Sequence, residues 1–154
     1  MKTFLEQHLL NLDLHGVRHH EVKIMVEDFV LNNQEQLPLI IICGNSSKMI
    51  ELVTETLSGF VKQGKINQFG YSEIAPTSLE RANKIHPVGA VQSEYSLSTR
   101  YPELGLLQKT KSLKTSFVAF SPVGRSLLTD KPHTEEKVRE MQFLQQNPRF
   151  IEPN

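Results

Sequence analysis

The chain has 154 residues, which is enough for one ordinary α/β domain but well short of the roughly 250 residues that a closed eight-stranded α/β barrel takes. Seventeen basic and seventeen acidic residues balance each other, so no overall field attracts the chain to nucleic acid or to an anionic membrane. Length and charge therefore exclude a complete barrel and limit any nucleic-acid binding to a local site.

The N-terminus and the cysteine content add further limits. The first six residues, MKTFLE, lack the apolar core of a signal peptide, and no run approaches the 18 apolar residues that span a bilayer. The single cysteine, Cys43, excludes an internal disulfide and a cysteine-based zinc site. We therefore predict a soluble, cytoplasmic protein with no membrane partner and no metal.

Short apolar runs alternate with helical stretches along the chain, a pattern that indicates parallel βα units. The expected strands are residues 12–15, 37–43, 66–71, 90–94 and 116–120. The expected helices are residues 19–32, 47–62, 77–85 and 103–113, with a further candidate helix at 135–145. We predict an α/β fold of about five parallel strands, resembling a partial (β/α)8 barrel or an open sheet.

Local signals mark the ends of these helices. Ser46 or Ser47 can cap the second helix, and a Gln-Gly pair at 63–64 stops it. Thr77 or Ser78 can cap the third helix. That helix should end at His86, because a residue before proline resists the α region.

Four sequence motifs follow one another in the C-terminal two-thirds of the chain. They are QFGYSE at 68–73, AVQSEYSL at 90–97, FVAFSPVGR at 117–125 and NPRF at 147–150. In this order and spacing, residues from about 50 to 154 resemble the C-terminal part of an aldo-keto reductase. The resemblance implies a partial barrel whose strand ends face a ligand.

The same resemblance assigns cofactor contacts to the matching positions. Ser72 and Glu73 match the pair that holds the nicotinamide carboxamide, although many relatives carry Asn in place of Glu73. Gln92 matches a second carboxamide contact, and Phe120 matches an aromatic, usually Tyr, that stacks on the nicotinamide ring. The loop along the cofactor pyrophosphate is matched by Ser121, Val123, Gly124 and Arg125.

Important parts of the family pattern are missing. The family transfers hydride from NADPH to a carbonyl with a Tyr acid supported by Lys, His and Asp on earlier strands, and none of the four has a counterpart here. Cys43 and Gly44 stand where the catalytic His would end a strand. The segment that grips the 2′-phosphate in the family would follow Asn154. We expect part of a nicotinamide pocket, weak or absent NADPH binding and no activity of the chain alone.

A shorter motif, LDLHG at 12–16, precedes an amphipathic helix and a buried strand. Over residues from about 10 to 55 this order resembles a small MutS-related (Smr) domain, which implies nucleic-acid binding and, in some members, cleavage. Strand alternation places Asp13 and His15 on the same side of the strand. There the pair could act as a general base or as metal ligands. The family's second signature, a Thr-Gly-rich turn, is absent. The chain would then combine an Smr-like segment, 1–50, with a reductase-like segment, 51–154, in one continuous unit.

Several alternatives stay open on the sequence alone. Asp13 can serve a site or merely fix a loop or the tautomer of His15. Gln92 and Ser121 can bind cofactor or satisfy loop backbone groups, and Phe120 can stack on a ring or belong to the core. The chain can be a reductase-related protein or an Smr-type nucleic-acid-binding module. Unpaired outer strands of a short parallel sheet also predict a homo-oligomer.

Overall fold

A computed structural model describes residues 2–6, 8–44, 46–141, 144–145 and 147–150. Its strands are β1 Lys2–Glu6, β2 Leu9–Asp13, β3 Leu39–Ile42, β4 Gly70–Ser72, β5 Ala90–Glu94 and β6 Ser116–Phe120. Its α-helices are α1 His19–Asn32, α2 Ser47–Lys62, α3 Pro76–Ile85, α4 Leu106–Leu113 and α5 Glu135–Glu140. Short 3-10 helices lie at Gln34–Gln36, Tyr101–Leu104 and Pro148–Phe150.

The strands form two three-stranded sheets, β1-β2-β3 and β4-β5-β6. All neighbouring strands run parallel except β1, which pairs antiparallel with β2. The predicted α/β fold with parallel strands is confirmed. The described residues contain six strands where about five were predicted, and the strands form two sheets because β3 does not pair with β4. Strand β1 was not predicted, because His8, which has φ 68° just before β2, is not the glycine or asparagine that usually marks a hairpin turn.

The first core lies between the β1-β2-β3 sheet and helices α1 and α2. Alternation along β2 turns Leu12 and Leu14 toward the helices, where they pack against Val22, Val26 and Phe29 of α1. These apolar positions of α1 recur at helical spacing, and the helix has the predicted bounds. Burial of this stripe stabilises the N-terminal half.

The second core lies between the β4-β5-β6 sheet and helices α3 and α4. Val91 of β5 packs with Leu79 and Ala82 of α3 and with Leu106 of α4. Phe117 of β6 adds a partly buried ring on the same side. The helices therefore cover one face of this sheet.

Helix α2 packs against both halves of the chain. Its Met49, Val53 and Phe60 belong to the first core. On another side of α2, the hydroxyl of Thr54 hydrogen bonds with that of Tyr71 on β4, and Ser58 Oγ lies 3.2 Å from His86 Nδ1 at the end of α3. The helices therefore form one continuous layer, although the strands form two separate sheets.

Several predicted ends differ from the structure. The third strand is only Gly70–Ser72, and α3 begins after Ala75 with Pro76 in its first turn, so neither Thr77 nor Ser78 is its cap. Proline suits this position because its missing N–H has no partner in a first turn. Gly105, at φ 132°, divides the expected 103–113 helix into a 3-10 helix and α4. Helix α5 ends at Glu140, and residues 142 and 143 of the expected helix lie outside the described residues.

Replacing Gly70 by alanine should loosen the β4–β5 pair. A Cβ at Gly70 would lie 2.6 Å from the carbonyl oxygen of Ala90, which belongs to the backbone and cannot rotate away. We expect Gly70→Ala to lower the free energy of unfolding by about 1–3 kcal/mol. Urea denaturation followed by circular dichroism measures this, with Gly59→Ala as control because that position has open space. Equal stability of the two variants would contradict the prediction.

Candidate functional site

Helices α3 and α4 pack on one face of the β4-β5-β6 sheet, and several side chains of the other face are exposed. Strand register aligns Ser72 with Gln92 and Gln92 with Val118, and it places Phe120 beside Glu94. Alternation turns these side chains away from the helices, and Phe120 keeps 45% of its surface exposed. We call Ser72, Gln92, Val118 and Phe120 the open face. It ends at the C-terminal edge of three parallel strands.

Glu73 stands at this edge, directly after β4. Its backbone is left-handed, at φ 51°, and its N–H donates to the carbonyl of Gln92 at 2.9 Å. Its carboxylate accepts the Ser93 hydroxyl at 2.8 Å and the backbone N–H of Glu94 at 2.7 Å. The carboxylate therefore ties β4 to the end of β5.

Glu94, the last residue of β5, pairs with two arginines from distant parts of the chain. Its Oε2 accepts from Arg125 at 3.2 Å, and its Oε1 accepts from Arg149 of the C-terminal segment. The hydrogen bond from Arg149 lowers the pKa of the Glu94 carboxyl; partial burial opposes this, and the charges of Arg149 and Arg125 add to the lowering. Glu94 is thus a carboxylate with two counter-charges.

The loop after β6 brings Arg125 back over that strand. Ser121, Gly124, Arg125 and Ser126 all have positive φ, and the Gly124 N–H donates to the Ser121 carbonyl at 2.9 Å. The tight winding places the Arg125 guanidinium 5.8 Å from the centroid of the Phe120 ring. Val123 of the same loop is exposed. The chain therefore brings a guanidinium, an aromatic ring and a carboxylate together.

A cleft of about 450 Å³ opens beside these groups, between the β4–α3 connection and the segment after β5. Its polar wall includes Glu73, Ser93, Glu94, Thr99, Tyr101 and Arg149. Its apolar lining comes from the β4–α3 connection, the start of α4 and the preceding 3-10 helix. A small molecule with polar and apolar parts could enter here.

Asp13 and His15 form a separate pair at the end of β2. The His15 Nδ1 atom lies 2.7 Å from Asp13 Oδ1, and the His15 backbone N–H donates to the same oxygen at 2.9 Å. A Cβ at Gly44 would lie 3.2 Å from His15 Nε2, so the ring lies over the glycine that follows β3. The side chain of His15 is 63% exposed. The pair can present Nε2 as a base, with Asp13 fixing the tautomer.

The structure brings the reductase-like positions together and separates them from the Smr-like pair. Ser72, Glu73, Gln92 and Phe120 lie on adjacent strand ends, whereas Asp13 lies on the other sheet. Sequence reasoning did not assign Glu94 or Arg149 to the site. The charged end of β5 was a signal for Glu94, but nothing in the sequence linked it to Arg149, 55 positions away. In the described part of the chain, no three His, Cys, Asp or Glu side chains form a group that could hold a metal ion.

Comparison with known proteins decides the family. The sequence profile of the Aldo/keto reductase family matches residues 14–151. The chain belongs to the aldo-keto reductase family. The match begins at residue 14 and so includes most of the segment that resembles an Smr domain; a fused Smr domain stays a prediction.

Individual aldo-keto reductases share part of the sequence. Aldo-keto reductase str7 of Strobilurus tenacellus is 34% identical over 108 residues. Aldo-keto reductase yakc of Schizosaccharomyces pombe, whose name specifies NADP(+), is 32% identical over 108 residues. In both cases the alignment covers 68% of this chain and 32% of the relative, so the chain spans about a third of the curated relatives' length.

Solved aldo-keto reductases share the fold. The glycerol dehydrogenase AKR11B4 from Gluconobacter oxydans aligns with 89% of this chain and 42% of its own, at a TM-score of 0.64 and 21% identity. The holo form of AKR11C1 from Bacillus halodurans aligns with 82% of this chain and 45% of its own, at a TM-score of 0.59 and 21% identity. The fold of this chain therefore resembles a part of the fold of these proteins. Within the described residues, no helix has the length and apolar character to cross a membrane.

Proposed function

We propose that this aldo-keto reductase chain forms part of the nicotinamide site of an NADPH-dependent carbonyl reductase. The observation that carries the proposal is the open face, where Ser72, Gln92 and Phe120 lie side by side at the ends of parallel strands. Ligands bind at such strand ends in α/β barrels. Ser72, Glu73 and Gln92 would contact the carboxamide, Phe120 would stack on the ring, and the loop with Ser121, Val123, Gly124 and Arg125 would follow the pyrophosphate. A cytoplasmic location belongs to the same proposal.

The described geometry supports cofactor contact better than catalysis by the chain alone. The amide of Gln92 and the ring of Phe120 are exposed on the open face, where a carboxamide and a planar ring could meet them. The phenols of Tyr71 and Tyr95 are bonded to Thr54 and Glu103 respectively. We propose that the chain binds NADPH weakly and requires other residues for hydride transfer.

Cofactor binding is tested by titrating the purified chain into NADPH and following nicotinamide fluorescence. Gln92→Ala and Phe120→Ala should each weaken binding by about tenfold, since each removes a contact worth about 1.4 kcal/mol. Gln36→Ala is the matched control, because Gln36 is exposed in a 3-10 helix far along the chain from the open face. Equal NADPH affinity of the unchanged chain and the three variants would contradict the assignment of Gln92 and Phe120 as cofactor contacts.

We also propose that the chain self-associates. Phe4 and Leu5 on the edge strand β1 are exposed, as are Val118 and Phe120 on the open face. Burial of these apolar groups and pairing of strand edges would favour association. Sedimentation velocity at rising concentration should show a species larger than the monomer, and Leu5→Lys should reduce it if β1 takes part. A monomer at every concentration would rule this out.

Nucleic-acid binding is the second candidate function, and the Asp13–His15 pair favours it. A histidine with a fixed tautomer and an accessible Nε2 can act as a general base, as Smr-type cleavage would require. We expect His15→Ala to weaken RNA binding or abolish cleavage, with His20→Ala on α1 as control. Fluorescence anisotropy with labelled single-stranded and duplex RNA at several salt concentrations measures this. Unchanged affinity and turnover in His15→Ala would remove the site.

A further inference from the structure

The cleft lies at the ends of β4 and β5, toward helices α3 and α4. Strand alternation turns Ser93 to the helix side of the sheet, where it is buried and lines the cleft. Leu106, another lining residue, belongs to the second core. None of Ser72, Gln92 and Phe120 lines the cleft. A ligand in the cleft would therefore not need the proposed cofactor site.

The carboxylate of Glu73 supplies one charge of the cleft. It accepts from the Ser93 hydroxyl at 2.8 Å and from the backbone N–H of Glu94 at 2.7 Å, and both donors are uncharged. Among the residues that the structure describes, no basic side chain pairs with it. Each carboxylate oxygen can accept a further hydrogen bond, so Glu73 can receive an ammonium group. Ser72 and Gln92 would then remain as the carboxamide contacts of the proposed cofactor site.

Arg149 supplies the opposite charge. It shares Glu94 with Arg125, so these three side chains together carry one net positive charge. A guanidinium has five N–H donors, and the bond from Nη1 of Arg149 to Glu94 leaves donors for a ligand carboxylate. Glu73 bonds to the backbone N–H of Glu94 and Arg149 to its side chain. One small molecule could therefore reach both charges.

Exposed apolar side chains stand beside these charges. Leu104 is 84% exposed and Tyr101 is 77% exposed, and both line the cleft together with Pro76. Large apolar side chains with this exposure gain burial when an apolar group covers them. The volume of about 450 Å³ lies within the range of small-molecule sites. The cleft therefore suits a ligand that has two opposite charges and a short apolar part.

We propose that the cleft is a binding site for a free α-amino acid with an apolar side chain. Glu73 holds the ammonium group, Arg149 holds the carboxylate, and Leu104 and Tyr101 contact the side chain. An α-amino acid carries both charges on one carbon, which matches two protein charges that bond to the same residue. A peptide terminus carries only one of the two groups and would leave one protein charge without a partner.

The probe is L-leucine, with two blocked derivatives as matched controls. The methyl ester of leucine keeps the ammonium group, and N-acetyl-leucine keeps the carboxylate. Titration of the isotopically labelled chain, followed by NMR, detects the weak binding expected of small ligands. Mildly acidic buffer keeps the amine of the ester protonated. We expect leucine to bind about tenfold more tightly than either derivative, because each derivative loses one charged hydrogen bond, with shifts at Tyr101 and Leu104.

Two variants assign the ligand charges to the protein charges. Glu73→Gln should weaken leucine binding by about tenfold and leave the binding of N-acetyl-leucine unchanged. Arg149→Met should weaken leucine binding by about tenfold and leave the binding of the methyl ester unchanged. Glu80→Gln and Arg81→Met on α3 are the matched controls, because neither residue lines the cleft.

Absence of leucine binding, equal binding of leucine and both derivatives, or shifts confined to Gln92 and Phe120 overturns the inference. If Glu73→Gln does not fold, as thermal unfolding would show, Arg149→Met and the two derivatives decide. NADPH binding is scored separately. A preference for leucine without NADPH binding supports this site and removes the proposed cofactor role, whereas NADPH binding without that preference does the opposite.

Discussion

Purified chain mixed with NADPH and a broad panel of aldehydes is expected to consume no NADPH above the buffer control. Hydride transfer leaves negative charge on the carbonyl oxygen, and a positioned acid that meets it contributes roughly 10²–10⁴-fold. Burial raises the pKa of Tyr71, and its phenol bonds with Thr54 of α2. The phenol of Tyr95 donates to Glu103, and that bond raises its pKa. Neither of these two phenols is free to serve as the acid, and the third, that of Tyr101, belongs to a 77% exposed side chain that lines the cleft and is not part of the open face.

Absorbance of the reduced nicotinamide measures this prediction directly. An intact aldo-keto reductase under the same conditions is the positive control, and boiled chain is the blank. Steady turnover that survives repurification and disappears in Phe120→Ala or Gln92→Ala would show that the chain has an acid which the structure does not reveal. Activity that appears only after a second protein is added would instead support completion of the site by a partner.

Replacing Phe29 by alanine is expected to unfold much of the chain. Phe29 is fully buried, at 0% exposure, in the core that α1 and α2 form with the first sheet. Truncation of a buried phenylalanine costs about 3–5 kcal/mol, because burial is lost and a cavity remains. That loss is a large fraction of the 5–15 kcal/mol that typically separates folded from unfolded domains.

Ile24→Ala is the matched control on the same helix, since Ile24 is 59% exposed. Its expected cost is within about 0.5 kcal/mol. Thermal and urea unfolding followed by circular dichroism compare the two variants. Similar midpoints for Phe29→Ala and Ile24→Ala would mean that the described core does not support the fold.

Local patterns predicted the elements whose signals lie in neighbouring residues. The apolar positions of α1 recur every three or four residues, and this helix has the predicted bounds. Strands β5 and β6 are also as predicted, because each is a short apolar run between turns. The motifs at residues 68–125 indicated the family, which the sequence profile confirmed. The roles assigned to the site residues stay predictions, although the structure places most of them at adjacent strand ends.

The sequence by itself determined the alternation of strands and helices and the family, because periodicity and ordered motifs are local properties. Only the tertiary structure decided how the strands divide into two sheets and which side chains meet. Glu94 pairs with Arg125 and Arg149, which lie 31 and 55 positions further along the chain. No local pattern encodes such a contact, because chain reversal in the β6 loop and the path of the C-terminal segment create it. The charge environment of Phe120 is therefore a property of the fold.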